Sequence, residues 1–149
     1  MAVFEEVVYI NRDIETVYRI SQDYSVRYQW DPFPERIALL GGETEIVAGV
    51  RALVVAKSGL KMEVEFVNVV PPTSAAIVMT KGPAILSKFG GSWIFRAEDN
   101  ASTQARFRYL VKVKWWALPW ISERIAAWYF RREVIKRLSG LKRYCESEA

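Results

Sequence analysis

Between Thr103 and Lys114 the side chains alternate. Ala105, Phe107, Tyr109, Val111 and Val113 fall on one side, and Arg106, Arg108, Lys112 and Lys114 on the other. A period of two marks a strand with one dry and one wet face. The same division recurs upstream. Met62, Val64 and Phe66 oppose Lys61, Glu63 and Glu65; Val50, Ala52, Val54 and Ala56 oppose Arg51 and Lys57; Trp93 and Phe95 oppose Arg96. Strands of this kind form an antiparallel sheet covered on one side only. The cover must come from helices, and the longest helical pattern begins directly after the last strand.

The join between them is Trp115 to Arg124, WWALPWISER. Pro119 suits the first turn of a helix. That helix is expected to reach about Cys145, with Gly140 a soft point in it. Trp120, Ala127, Phe130, Val134, Leu138, Leu141 and Cys145 form a stripe at helical spacing, read as core packing. Ile121, Ile125, Trp128 and Ile135 form a second apolar patch, with Arg132 in its middle. A core stripe does not need this second patch, which could widen the core, line a cavity, contact a partner or touch lipid. One long helix across a curved sheet leaves a cavity beneath it, with the tryptophan-rich join at its mouth.

The remaining elements read in order. Phe4 to Ile10 is a β-type run, Asp13 to Gln22 has helical spacing, and Tyr24 to Trp30 is a second short helix ended by Pro32. Strand candidates follow at Arg36 to Leu40, Gly49 to Lys57, Lys61 to Val70, Ser74 to Lys81, Ser92 to Glu98 and Thr103 to Lys114. Gly41-Gly42, Ser58-Gly59, Pro71-Pro72, Lys81-Gly82-Pro83, Gly90-Gly91 and Glu98-Asp99-Asn100 separate them as turn formers. The run from Ser74 is too apolar for its faces to be assigned.

Composition excludes several kinds of chemistry. The 149 residues are read as one domain over 1–149, and they include no histidine and a single cysteine, Cys145. Histidine-activated nucleophiles and ordinary zinc sites are therefore not expected, and neither a metal nor a cofactor is. The lone cysteine suits a reducing cytoplasm. The opening MAVFEEVVYI has no basic segment of the signal-peptide type, and no run of about 20 apolar residues occurs. The net charge of +4 is concentrated late, in Arg131, Arg132, Lys136, Arg137, Lys142 and Arg143. The first reading of such a run is a solvated helix face. Attraction to an anionic membrane or an acidic ligand comes second, and no motif points to nucleic acid.

The order strand, two short helices, six strands, long helix resembles the helix-grip fold of the START-related SRPBCC superfamily, which includes polyketide cyclase/dehydrases and lipid or quinone carriers. Three stretches carry the resemblance: YINRDIETVYRISQDYSVRYQWDPF, SKFGGSWIFRAEDNASTQARFRYLVKV and FRREVIKRLSGLKRYCE. Within them Asp23, Trp30 and Pro32 resemble the family's helical entry, and Gly91, Trp93 and Phe95 its Gly-x-Trp-x-Phe strand, with Thr103 opening the next. The resemblance implies an α+β fold, a curved antiparallel sheet of about seven strands around the C-terminal helix. It does not select one activity.

In an up-and-down sheet alternate connections share an end. Leu60, Ile85, Leu86, Phe89, Trp115 and Trp116 then gather at one end as a candidate cavity entrance, unless these side chains fold inward as a plug. The expected cavity wall is Val54, Met62, Val64, Phe66, Trp93, Phe95, Phe107, Tyr109, Trp128 and Arg132. The leading functional expectation is binding, or transport, of a hydrophobic small molecule such as a lipid, isoprenoid quinone or aromatic polyketide. A second is a cofactor-independent cyclase or dehydratase, with Tyr109 and Arg132 as the nominated polar residues. A third is a membrane-associated carrier or partner-binding module. The expected location is cytoplasmic, compatible with peripheral contact with a membrane; the oligomeric state is left open.

Overall fold

The computed structural model describes residues 2–147. The elements are β1 (Ala2–Ile10), α1 (Ile14–Gln22), α2 (Arg27–Trp30), β2 (Pro34–Leu39), β3 (Arg51–Ala56), β4 (Lys61–Val70), β5 (Ser74–Lys81), β6 (Leu86–Asp99), β7 (Ser102–Val113), a short 3-10 turn (Trp115–Ala117) and α3 (Pro119–Ser147). One antiparallel sheet has the order β1-β7-β6-β5-β4-β3-β2. After β1 the chain must therefore cross to the far edge before β2 can pair, and α1 and α2 make that crossing. Asp13 caps α1, its Oδ2 accepting from the Thr16 amide at 3.0 Å. Helix α3 packs mainly on β1 and β7. This is the helix-grip arrangement expected from the sequence.

The inward faces are those that alternation assigns. Ala105, Phe107, Tyr109, Val111 and Val113 are buried, as are Met62, Val64, Phe66, Trp93 and Phe95. In β5, which had no readable face, Ala75 and Ile77 point inward. The strand β6 starts at Leu86, six residues before the expected Ser92. Gly90 and Gly91 are thus not a turn but strand interior. A Cβ on Gly91 would stand 3.2 Å from the Phe107 ring, so the glycine makes room for that ring. A register shift between Leu86 and Lys88 lets Leu86 and Phe89 both turn inward, three positions apart.

In α3, Phe130, Val134, Leu138, Leu141 and Cys145 form the buried stripe, while Trp120 at its start is exposed. Gly140 is not a soft point. A Cβ there would collide with the Trp30 carbonyl oxygen, so the missing side chain is what lets the end of α2 lie against α3. At the far end, Arg12 donates to the Cys145 carbonyl at 2.9 Å and Lys142 to that of Tyr9 at 2.6 Å. Among the described residues no helix is long and apolar enough to cross a membrane.

Candidate functional site

Helix α2 is a single turn, and its i,i+4 spacing sets Arg27 against Asp31. Asp31 is followed by Pro32, which stops the helix. Arg27 Nε donates to Asp31 Oδ2 at 2.7 Å, and the Phe33 amide donates to Oδ1 at 3.0 Å. Because Gly140 admits α2, Arg137 one turn earlier reaches the same carboxylate. Its Nη2 donates to Oδ2 at 2.9 Å and its Nε to Oδ1 at 3.1 Å. Arg137 Nη1 donates to the Tyr109 hydroxyl at 2.9 Å, and Arg27 Nη1 to the Ser21 carbonyl at 2.9 Å.

All of these side chains are buried. Two guanidinium groups meet one carboxylate, which leaves the cluster one positive charge in excess. Burying an unbalanced charge is costly, and here aromatic faces offset part of the cost. The Arg27 guanidinium lies over Tyr24 and Trp30 at 5.2 and 5.1 Å. That of Arg137 lies over Phe107, Phe33 and Trp93 at 4.9, 5.1 and 5.3 Å. Burial alone would push the Asp31 carboxyl up, but the two arginines override it and hold it below the ordinary aspartate value. Burial works against charge on Arg137 too, and Asp31 outweighs it, so Arg137 stays protonated. Burial pushes the Tyr109 phenol up, with Arg137 opposing only in part, so Tyr109 is a neutral hydroxyl at ordinary pH.

Arg27, Arg137 and Tyr109 form the polar end of a cavity of about 70 Å³ between the sheet and the helices. Val54, Met62, Val64, Phe66, Ala75, Ile77, Phe89, Trp93 and Phe107 make up its apolar wall, with Phe33, Pro34 and Ile37 at its other side. Since the Tyr109 oxygen already accepts from Arg137, its hydroxyl hydrogen is the part left to donate. The wall thus offers the Tyr109 O–H as a donor backed by a fixed positive charge, with Gln22 and Tyr24 also on the polar part of the lining.

Of the residues expected on this wall, Val54, Met62, Val64, Phe66, Trp93, Phe107 and Tyr109 line it. Phe95 does not; it is buried one step along β6, against Trp93 and Tyr18. Trp128 and Arg132 do not either. They stand on the outer face of α3, where the Arg132 guanidinium lies 4.8 Å from the Trp128 ring. At about 100° per residue these positions lie nearly opposite the inward stripe of α3, so the polar residue beside Tyr109 is Arg137 rather than Arg132. Arg137, grouped by sequence with the solvated basic run, is buried, and the acid it meets is Asp31, not the entry aspartate Asp23. Asp23 instead holds the Ser25 amide in a surface turn at 3.0 Å.

The connections expected at one end do meet there. Leu60, Pro83, Ile85, Leu86 and Val113 line an outer groove of about 310 Å³ with Ile125, Tyr129 and Phe130 of α3. Trp115 and Trp116 project beside it, exposed. Leu86 and Phe89, read as loop tips, are buried strand residues, and Phe89 belongs to the inner cavity. The Phe89 and Phe130 rings, 4.8 Å apart, stand between cavity and groove.

Residues 1–146 match the protein family described as polyketide cyclase/dehydrase and lipid transport. No curated protein matches the sequence. Among solved structures, the fold is similar to the Zhui aromatase/cyclase from Streptomyces sp. R1128, at 13% identity and a TM-score of 0.78, covering 97% of this chain and 93% of that one. It is similar to a START superfamily protein from Mycobacterium smegmatis, at 15% identity and a TM-score of 0.76, covering 95% and 97%. The di-domain ARO/CYC StfQ from the steffimycin biosynthetic pathway is matched at 17% identity and a TM-score of 0.73, over 97% of this chain and 50% of that one.

Proposed function

The chain belongs to the polyketide cyclase/dehydrase and lipid transport family, of SRPBCC type, and from that premise we propose that it binds a hydrophobic small molecule bearing an anionic or enolisable oxygen. The observation that carries this reading is the excess positive charge of Arg27, Asp31 and Arg137 at one end of a mainly apolar cavity. An apolar body would displace water from the ring-lined wall, and a carboxylate or enolate oxygen would balance the charge and accept from Tyr109. Lipids with an acid head and enolisable aromatic polyketides have such an oxygen, whereas an isoprenoid quinone offers a neutral carbonyl that accepts from Tyr109 without balancing the charge. Pockets for molecules of this size measure about 300–1,000 Å³, so binding must widen the 70 Å³ cavity.

The test is a pair of probes of one shape, a fluorescent polyene carboxylic acid and its methyl ester. The wild type is expected to bind the acid about tenfold more tightly, the worth of roughly one charge-assisted hydrogen bond. Arg27→Met removes the excess charge and leaves Asp31 paired with Arg137, so it should abolish the preference while the ester still binds. Equal affinity of the wild type for acid and ester sinks the proposal.

A cyclase reading of the same site is favoured by the contact between Arg137 and Tyr109. A phenol whose oxygen accepts from a guanidinium is a stronger donor to an enolate oxygen as it forms. Tyr109→Phe would then lower turnover of a poly-β-ketone far more than its binding. A catalytic reading does not survive turnover that is unchanged in this variant.

A further inference from the structure

We infer that the outer face of the first half of α3, with the 3-10 turn before it, docks on the surface of an anionic lipid bilayer. Of the six tryptophans, Trp30 and Trp93 are buried and the other four stand on this one surface. Trp115 is 85% exposed, Trp120 71%, Trp128 60% and Trp116 53%, and Leu118 and Ile125 lie among them at 54% and 62%. Apolar surface of this extent is seldom left open to water without a role. Tryptophan in particular settles at the boundary of headgroups and acyl chains.

The charges identify the partner. Arg124 and Arg132 are exposed on the same face of α3. The one acid between Trp120 and Arg132 is Glu123, and its carboxylate accepts from the Val113 amide at 3.2 Å. The connections gathered at this end, 57–60, 82–85 and 114–118, contain Lys57 and Lys114 and no carboxylate. At the opposite end the acids are Asp13, Glu43, Glu45, Asp99 and Glu146, which outnumber Arg12, Lys142 and Arg143 there. An apolar band edged by cations, with the acids at the far end, complements a negative lipid surface. A second copy of this chain would set the same arginines against each other and is disfavoured by that repulsion.

The test uses the whole chain and vesicles, and needs no cargo. Phosphatidylcholine vesicles with and without roughly one-third phosphatidylserine are compared by co-sedimentation, at about 0.1 M and about 0.5 M salt. The wild type is expected on the anionic vesicles, with binding that weakens as salt rises. Brominated acyl chains should quench the outer tryptophans and leave a residual emission from Trp30 and Trp93. Trp115→Ser with Trp120→Ser and Trp128→Ser should lower partitioning at least tenfold without moving the melting temperature, since all three are exposed. Arg124→Gln with Arg132→Gln should weaken anionic binding by about fivefold per charge, the effect of one basic residue near such a surface. If the triple variant misfolds, wild-type quenching by brominated lipid decides. No quenching, equal binding to neutral vesicles, or a soluble dimer that buries these tryptophans would overturn the inference.

Discussion

Asp31 ties together parts of the chain that are far apart in sequence. It joins α2 to α3 and faces two arginines, and its pairing with Arg137 spans 106 positions. Its replacement by asparagine leaves two buried guanidinium groups without a counter-charge. Removing one partner from a buried ion pair costs about 3–5 kcal/mol, and Asp31→Asn should cost this much near neutral pH. The pH dependence has a definite sign. The folded-state pKa of Asp31 is depressed, because the two arginines outweigh burial. Its contribution is therefore complete above the unfolded pKa of about 3.9 and is lost as pH falls through the folded value. The gap between wild type and Asp31→Asn, measured by urea unfolding, should narrow below about pH 4. A gap that does not change with pH would mean that the carboxylate charge contributes little. None of this cluster is read from the sequence, because charge is visible there but a distant partner is not. Two signals were available. Arg27 and Asp31 stand four apart just before Pro32, and Arg137 falls between Val134 and Leu141 inside the apolar stripe of the final helix.

At the scale of elements, the strands were legible because period two survives wherever one face is wet. β5 hid its faces, since Ala75 to Met79 is apolar throughout. The early part of β6 was missed because paired glycines signal a turn in the sequence, whereas Gly91 is there to admit the Phe107 ring. Gly140 misled in the same way. In an exposed helix, glycine to alanine gains about 1 kcal/mol. Here the new methyl group would meet the Trp30 carbonyl, and α2 would have to withdraw from α3. Gly140→Ala is therefore expected to destabilise by about 1–3 kcal/mol, the usual cost of overfilling a packed contact. It should also loosen the Asp31 pairing with Arg137, so its effect and that of Asp31→Asn should combine to less than their sum. Thermal unfolding of the single and double variants checks both statements. A stabilised Gly140→Ala would show that α2 yields without cost.

For the whole molecule, the arrangement is a small inner cavity, an outer apolar groove and an aromatic partition between them. Phe89 closes the inner side, with its ring 5.2 Å from Tyr109, and Phe130 closes the outer side. The groove opens at the end where the exposed tryptophans stand, so a ligand arriving there meets this partition first. Phe89→Ala removes one leaf of it. The variant should lose about 3–5 kcal/mol of stability, the usual cost of deleting a buried phenylalanine ring. It should also take up an apolar fluorescent probe several-fold faster in stopped-flow mixing, because cavity and groove would then be joined. A bound ligand refills the space, so saturating probe should raise the melting temperature of Phe89→Ala more than that of the wild type. Phe95→Ala provides the control, since Phe95 is equally buried but lies off the cavity wall. It should lose similar stability without any gain in uptake rate. If both variants take up probe at the wild-type rate, the ring pair is packing alone and the ligand enters elsewhere, past Phe33 and Ile37 on the opposite wall.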